Sequence, residues 1–388
     1  MGKIRNAAVL LTTAALLLLG ACVSEEQESS GKAGTDFNEL KWEKDMVLSY
    51  ARQFSIESCE GYRMVSIAGA GRFLLVPEEK ETPSQTPRNI SVLKMPLNKT
   101  YLVSTSAMDL ICMADALDYI RFSGTRQENW HVIKAKEAME EGAVLYAGKY
   151  SAPDYELLLS EGCTLAIENT MIFHNPEVKE KLEELGIPVL VERSSYEPDP
   201  LGRLEWIKLY GVLFGKERQA ETFFHEELKQ VQPILESENT GLKAAFFSVS
   251  SNGSVTVRRS EDYIAKMIEM AGGKYVFSYI GKEDRNALSA VRMQMEDFYA
   301  GAKDADILIY NSAIEEEIES IGNLLDKNPL FADFKAVKEG NVYCTGKNFF
   351  QETAGSCDFI RDMNIVFSHV SGKKDVDMEQ LRFLRKLR

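Results

Sequence analysis

The hydrophobic and polar positions of this 388-residue chain change pattern several times along its length. A largely apolar stretch occupies 7–19, behind Lys3 and Arg5, and closes in Leu19-Gly20-Ala21-Cys22. It falls short of the roughly 20 apolar residues that span a bilayer. Residues 23–34 are small and polar, with too few large apolar side chains to pack a core, and read as a tether. Between 40 and 105 the pattern is that of short strands: Tyr62-Arg63-Met64-Val65-Ser66-Ile67, Arg72-Phe73-Leu74-Leu75-Val76-Pro77 and Ile90-Ser91-Val92-Leu93. Gly69-Ala70-Gly71 and a proline-rich loop over 77–87 separate them. From Tyr101 onward strands alternate with helical runs: Tyr101-Leu102-Val103 into a helix near Ser106, Leu165-Ala166-Ile167 into another, and Pro188-Val189-Leu190-Val191 after a third. This alternation predicts parallel βαβ units with helices on both faces of a sheet.

Asp199-Pro200 is a helix N-cap followed by proline at the first helical position, and predicts a helix over 201–214 that stops at Gly215. A second helical run, 216–236, carries Ala220, Phe223, Phe224, Leu228 and Val231 as its apolar positions. At 1.5 Å per residue it reaches roughly 30 Å. It reads either as a rigid connector or as one more surface helix on a single large sheet, and the βα series that restarts after it favours the connector. That series opens with Leu242-Lys243-Ala244-Ala245-Phe246-Phe247-Ser248-Val249 and a helix over 261–270 closed by Gly272-Gly273. It also echoes the first. Tyr155-Glu156-Leu157-Leu158-Leu159 leads to Thr164-Leu165-Ala166-Ile167-Glu168-Asn169, as Met295-Glu296-Asp297-Phe298-Tyr299 leads to Asp306-Ile307-Leu308-Ile309-Tyr310-Asn311. In each a glutamate opens a short helix and a buried strand ends in asparagine, which points to two lobes of similar build.

A positive start, a short apolar run and small residues before a cysteine form an export signal whose cysteine takes a diacylglycerol anchor. The expected organisation is a signal over 1–21, a tether over 22–36 beginning at lipidated Cys22, and a first lobe over 37–214 that includes the β-rich segment 40–100. An interlobe helix over 215–238 and a second lobe over 239–388 complete it. Forty-five Lys and Arg against 59 Asp and Glu leave a net charge of −14, which argues against nucleic acid as a partner. Cys59, Cys112, Cys163, Cys344 and Cys357 are odd in number with no CxxC spacing, so neither a disulfide framework nor a zinc ribbon is indicated. A Cys344–Cys357 disulfide stays open. His131, His174, His225 and His369 are scattered with no i, i+4 pair, so no multi-histidine metal site is signalled. The chain has no GxSxG, HExxH, GxxxxGK[ST] or strand-following GxGxxG motif, which leaves an exported, lipid-anchored hydrolase as a rival resting only on acidic pairs such as Asp154 and Glu156.

Four segments carry a family resemblance: Gly148-Lys149-Tyr150-Ser151-Ala152-Pro153-Asp154-Tyr155-Glu156, Leu185-Gly186-Ile187-Pro188-Val189, Gly211-Val212-Leu213-Phe214-Gly215-Lys216-Glu217 and Glu269-Met270-Ala271-Gly272-Gly273. They resemble the substrate-binding lipoproteins of ABC importers, in the class that carries iron–siderophores, cobalamin or haem, and the resemblance covers residues 100–365. It implies an α/β fold of two Rossmann-like lobes joined by a single long α-helix, with the ligand in the cleft between them and no catalysis or cofactor. The implied ligand is a metal chelate, a ferric siderophore first, with cobalamin, haem or an oxyanion such as molybdate behind it. The implied partners are an ABC permease and its ATPase subunits, met by a monomer anchored on the extracytoplasmic face of the cell membrane. In this family a glutamate on each lobe docks against permease arginines, and by motif these match Glu156 and Glu296. A glutamate near a helix start also simply favours the helix dipole. The β-rich segment 40–100 departs from the compact family pattern, either bracing the first lobe or shaping the cleft.

Ligands of open α/β sheets sit beyond the carboxyl ends of the strands. That rule nominates Ser104, Thr105 and Ser106, which lead into a helix whose exposed N–H groups favour anionic or carbonyl groups, with Ser106 and Asp109 also readable as its cap. It adds Arg121, Tyr150, Asn169, Arg193 and Tyr196 in the first lobe, and Ser251, Arg258, Arg259, Arg292, Asn311 and Phe349 in the second. Arginines with aromatics suit a bulky ligand bearing carboxylates, catecholates or a conjugated ring. Each arginine is equally readable as a surface ion-pair partner.

Overall fold

In the computed structural model, which describes residues 35–281, 290–372 and 377–388, a sheet of order β1-β2-β3-β4-β5 comes first. The expected signal, Cys22 and all but the last two residues of the expected tether lie outside the described residues. The strands are β1 (Glu43–Lys44), β2 (Phe54–Cys59), β3 (Tyr62–Ile67), β4 (Gly71–Val76) and β5 (Ile90–Lys94). Alternating side chains divide between two buried faces. Phe54, Ile56, Val65, Ile67, Phe73 and Leu75 join the main core, while Tyr62, Met64, Leu74, Val76 and Ile90 pack with Leu40, Phe37 and Trp42.

Two buried carboxylates clasp this sheet to the rest of the fold. Glu205 accepts the backbone N–H groups of Ser49, Tyr50 and Ala51 at 3.0, 2.8 and 2.8 Å and pairs with the Lys208 ammonium at 2.8 Å. Burial alone would raise its carboxyl, but those hydrogen bonds together hold it below the ordinary range. Glu197 accepts from the N–H groups of Arg52 and Gln53 and from the Trp206 indole at 2.9 Å. The segment 40–100 is thereby fastened to the chain around 197–208, and its β3–β4 turn reaches Arg193, whose guanidinium lies against Gly69.

That second sheet is parallel, in the order β12-β11-β6-β7-β8. Its elements in chain order are β6 (Thr100–Leu102), α1 (Thr105–Met113), β7 (Ile120–Ser123), α2 (Ile133–Glu140) and β8 (Leu145–Tyr146), then a hairpin of β9 (Gly148–Lys149) and β10 (Ala152–Pro153), then α3 (Tyr155–Glu161), β11 (Ala166–Glu168), α4 (Pro176–Glu184) and β12 (Val189–Val191). Both faces are buried, as a parallel sheet requires. Leu102, Ile120, Ile167 and Leu190 enter the main core, whereas Tyr101, Phe122, Ala166, Val189 and Val191 form a separate cluster with Leu158 of α3 and Val178 and Leu182 of α4.

The helix expected over 201–214 is two helices, α5 (Pro200–Glu205) and α6 (Ile207–Phe214). The break falls at Trp206, whose indole is held by Glu197 and whose ring meets Phe54 edge-on at 5.1 Å, a tertiary anchor invisible to local periodicity. Gly215 ends α6 at φ 66°, a left-handed conformation that glycine adopts without strain. Next comes α7 (Glu217–Leu235), packed against α6; at Gly211 a Cβ would sit 2.8 Å from Ala220 of α7, so the close approach requires glycine.

The third sheet has the order β16-β14-β13-β17-β18-β19, with β15 beside β13. Its elements are β13 (Lys243–Val249), β14 (Val255–Arg258), α8 (Tyr263–Met270), β15 (Lys274–Tyr275), β16 (Ala290–Met293), α9 (Met295–Ala302), β17 (Ile307–Tyr310), α10 (Ile321–Lys327), α11 (Lys335–Lys338), β18 (Val342–Thr345), α12 (Ser356–Val370) and β19 (Leu384–Lys386). Strands β13, β15, β17 and β18 are mutually parallel. Helix α8 starts two residues later than expected because the Asp262 side chain caps it through the Ile264 N–H. Cys344 and Cys357 are buried free thiols on β18 and α12, which settles the open disulfide in the negative.

Candidate functional site

Parallel strands put the loops that follow them on one side of a sheet. In the first lobe that side holds Ser104, Thr105 and Ser106 after β6, 124–131 after β7, Tyr146 ending β8, 169–174 after β11 and 192–196 after β12. In the second it holds 250–254 after β13, 311–314 after β17 and 346–351 after β18. These loops meet across the two lobes. Gln351 accepts the His131 N–H at 2.8 Å and donates to the Asn129 carbonyl at 2.9 Å. The Ala354 N–H donates to the Asp109 carboxylate of α1 at 2.9 Å, so Asp109 is a lobe contact and no helix cap. Burial raises the Asp109 carboxyl to about 7, with the Ala354 hydrogen bond pulling the other way.

Large apolar side chains stand in solvent at these strand ends: Met171 and Phe173 at 45% exposure, Tyr196 at 52% and, in the second lobe, Ile314 at 59%. Grouped exposure of this kind marks an interaction surface. Two guanidinium–ring pairs lie among them, Arg126 over Tyr146 at 4.4 Å and Arg193 over Tyr196 at 4.2 Å. The rings support the cations while leaving guanidinium edges available to anionic oxygens. Arg193 Nε is buried and has no partner among the described residues.

The two asparagines of the internal echo do matching work. Asn169 accepts the Met171 N–H at 2.9 Å and Asn311 accepts the Ala313 N–H at 3.2 Å, so each side chain shapes the loop that presents the apolar residues. The cap of α1 is Ser104, not Ser106, and it makes no side-chain capping bond. Instead the hydroxyls of Ser104 and Ser106 lie 2.9 and 3.3 Å from a carboxylate oxygen of buried Glu192, whose other oxygen accepts the Ser194 N–H at 2.6 Å. The helix end expected to attract ligand anions thus has a carboxylate of the protein's own beside it.

Other nominated residues lie elsewhere. Arg121 sits inside β7 and is committed to the Gly142 and Ala143 carbonyls at 2.8 Å and to Glu161, at the amino end of the sheet, because side-chain reach carries it away from the loops. Phe349 is core, packed on Phe246, Phe350, Phe359 and Phe383. Tyr150 occupies the β9–β10 turn and packs on the Tyr101 cluster. Arg258 is buried beside Asp262 at 3.6 Å, with its guanidinium over Phe350 at 5.1 Å. Arg259 packs against Gly281, Arg292 is exposed on edge strand β16, Ser251 is exposed in the β13–β14 turn, and Thr105 is half-buried at the start of α1. Glu156 and Glu296 are both exposed in the first turns of α3 and α9. Each helix leads back to the amino end of the next strand, so its first turn lies on the loop side of its own lobe.

Sequence reasoning missed Arg126, Tyr146, Met171, Phe173, Glu192 and Ile314. Apolar residues directly after a strand, where the loop should be polar, were the available signal for Met171, Phe173 and Ile314. Among the described residues no three His, Cys, Asp or Glu side chains come together as a metal site, and no helix is long and apolar enough to cross a membrane.

Comparison with known proteins adds four matches. A family profile described as "Periplasmic binding protein" matches residues 124–349. A protein of Methanocaldococcus jannaschii named an uncharacterized lipoprotein is 24% identical over 373 residues, covering 86% of this chain and 85% of the relative. Among solved structures, a periplasmic heme binding protein of Vibrio cholerae superposes with a TM-score of 0.56 at 15% identity, over 68% of this chain and 97% of that one. An ABC-type Fe3+-hydroxamate transport system protein of Saccharomonospora viridis does so with a TM-score of 0.53 at 17% identity, over 70% and 93%. The likeness to these structures is one of fold.

Proposed function

The chain belongs to the periplasmic binding protein family, and from that premise we propose that it is the substrate-binding component of an ABC importer for a ferric siderophore, anchored through Cys22 to the extracytoplasmic face of the membrane. The names of the lipoprotein relative and of the heme and Fe3+-hydroxamate proteins support this reading. The observation that carries it is the presence of exposed Met171, Phe173 and Tyr196 and of ring-supported Arg126 and Arg193 at the strand ends of the first lobe, with exposed Ile314 at a strand end of the second. An apolar wall takes the organic shell of a chelate, and guanidiniums take its anionic oxygens. Glu156 and Glu296, one per lobe, serve as the two-point grip of the permease, which fixes orientation more than it adds affinity.

A thermal-shift panel of a ferric hydroxamate, a ferric catecholate, cyanocobalamin, haemin and molybdate tests the ligand. A chelate at about 100 times its dissociation constant stabilises the protein by roughly 2.7 kcal/mol. Arg193→Ala should remove much of the shift given by a ferric chelate. A shift with cyanocobalamin, haemin or molybdate alone replaces the siderophore while leaving the importer role; no shift with any of the five refutes this class of ligand.

A further inference from the structure

We propose that the corner where β6, β12 and the start of α1 meet is a subsite for a protonated amine on the ligand, with Glu192 as the residue that sets this preference; the assignment rests on the cleft reading above. Glu192 is 3% exposed, and no Lys, Arg or His lies within ion-pairing distance of it among the described residues. Among the described residues its carboxylate is met by the Ser104 and Ser106 hydroxyls and the Ser194 N–H alone. Ser104 and Ser106 are also 3.1 Å from each other. A hydroxyl has one proton and two lone pairs. Whichever serine donates to the other, both protons are used inward, toward Glu192 or toward the neighbouring hydroxyl. What half-buried Ser106 presents outward is therefore lone pairs, backed by a buried carboxylate.

The partial positive charge at the start of α1, about half an elementary charge, opposes a full negative one. The corner stays electronegative and disfavours the anionic groups that a bare helix terminus would attract. Two further buried hydroxyls, Ser194 Oγ two residues along from Glu192 and Tyr210 Oη, have no partner among the described residues. One residue further on, Arg193 offers the opposite polarity against Tyr196. Neighbouring positions thus select a ligand that carries anionic oxygens and an ammonium group together.

The test compares ferrioxamine B, which bears a pendant ammonium, with its N-acetylated form, which keeps the same ferric hydroxamate core without that charge. The protein should bind the ammonium form at least tenfold more tightly, and Glu192→Gln should bring the ratio near one. Ser106→Ala, at a half-buried position, should do the same if the glutamine variant fails to fold. Equal affinities, or a preference that survives both substitutions, overturn the subsite. Should neither chelate bind, the hydroxamate reading fails on its own, and crystals soaked in methylammonium acetate still decide the corner. Methylammonium nitrogen within hydrogen-bond distance of Ser106 Oγ supports the proposal, and acetate or no ion there overturns it.

Discussion

Glu168→Gln is expected to stabilise the protein as pH rises. Glu168 is the last residue of β11, fully buried, in register with Val191, and neither carboxyl oxygen has a partner among the described residues. Burial raises its carboxyl from 4.5 to about 8. The folded state therefore keeps a proton that the unfolded chain loses above its own pKa of 4.5. Stability from this group is intact below the unfolded value and is lost as pH climbs through the window up to about 8. At 1.36 kcal/mol per pKa unit, the loss between pH 5 and pH 7.5 is about 3 kcal/mol. Glutamine has the same shape and never ionises, so the gap between variant and wild type should move by about that amount in favour of the variant. Other titrating groups are common to both proteins and cancel. Urea denaturation at the two pH values, followed by fluorescence of buried Trp130 and Trp206, measures it. A gap that stays constant, or moves against the variant, would refute an uncompensated buried carboxyl.

Glu205→Ala strips three backbone N–H groups of their acceptor and leaves the buried Lys208 ammonium unpaired, which should cost about 3–5 kcal/mol in urea denaturation at pH 7. Because the Glu205 carboxyl is lowered in the fold, its contribution is present above the ordinary carboxylate range and fades as pH falls below it, so the gap to wild type should narrow toward pH 3. Glu156→Ala with Glu296→Ala should leave chelate affinity in solution within about twofold, since truncating exposed rim charges far from a buried contact changes little, while uptake by cells falls. Loss of binding in solution would place these residues in the cleft rather than at the permease.

Local rules carried much of this protein. Strands β3, β4 and β5, the Asp199-Pro200 helix start, the Gly215 stop and the echo between α3–β11 and α9–β17 all follow from alternation, capping and turn chemistry, which act over a few residues. The strand-end rule also nominated Arg193, Tyr196, Asn169 and Asn311, because loop position follows from element order. What that rule could not supply is the direction of a side chain once neighbours compete for it. Arg121 turned to carbonyls at the amino end of its sheet, Phe349 into the core against Phe246 and Asp109 across to Ala354, each drawn by a group more than 20 residues away in sequence. Glu192, Glu197, Glu205 and Trp206 likewise acquire their roles only through partners that long-range folding delivers. A buried polar group must find its hydrogen bonds wherever the packed chain offers them, and that choice belongs to the tertiary structure.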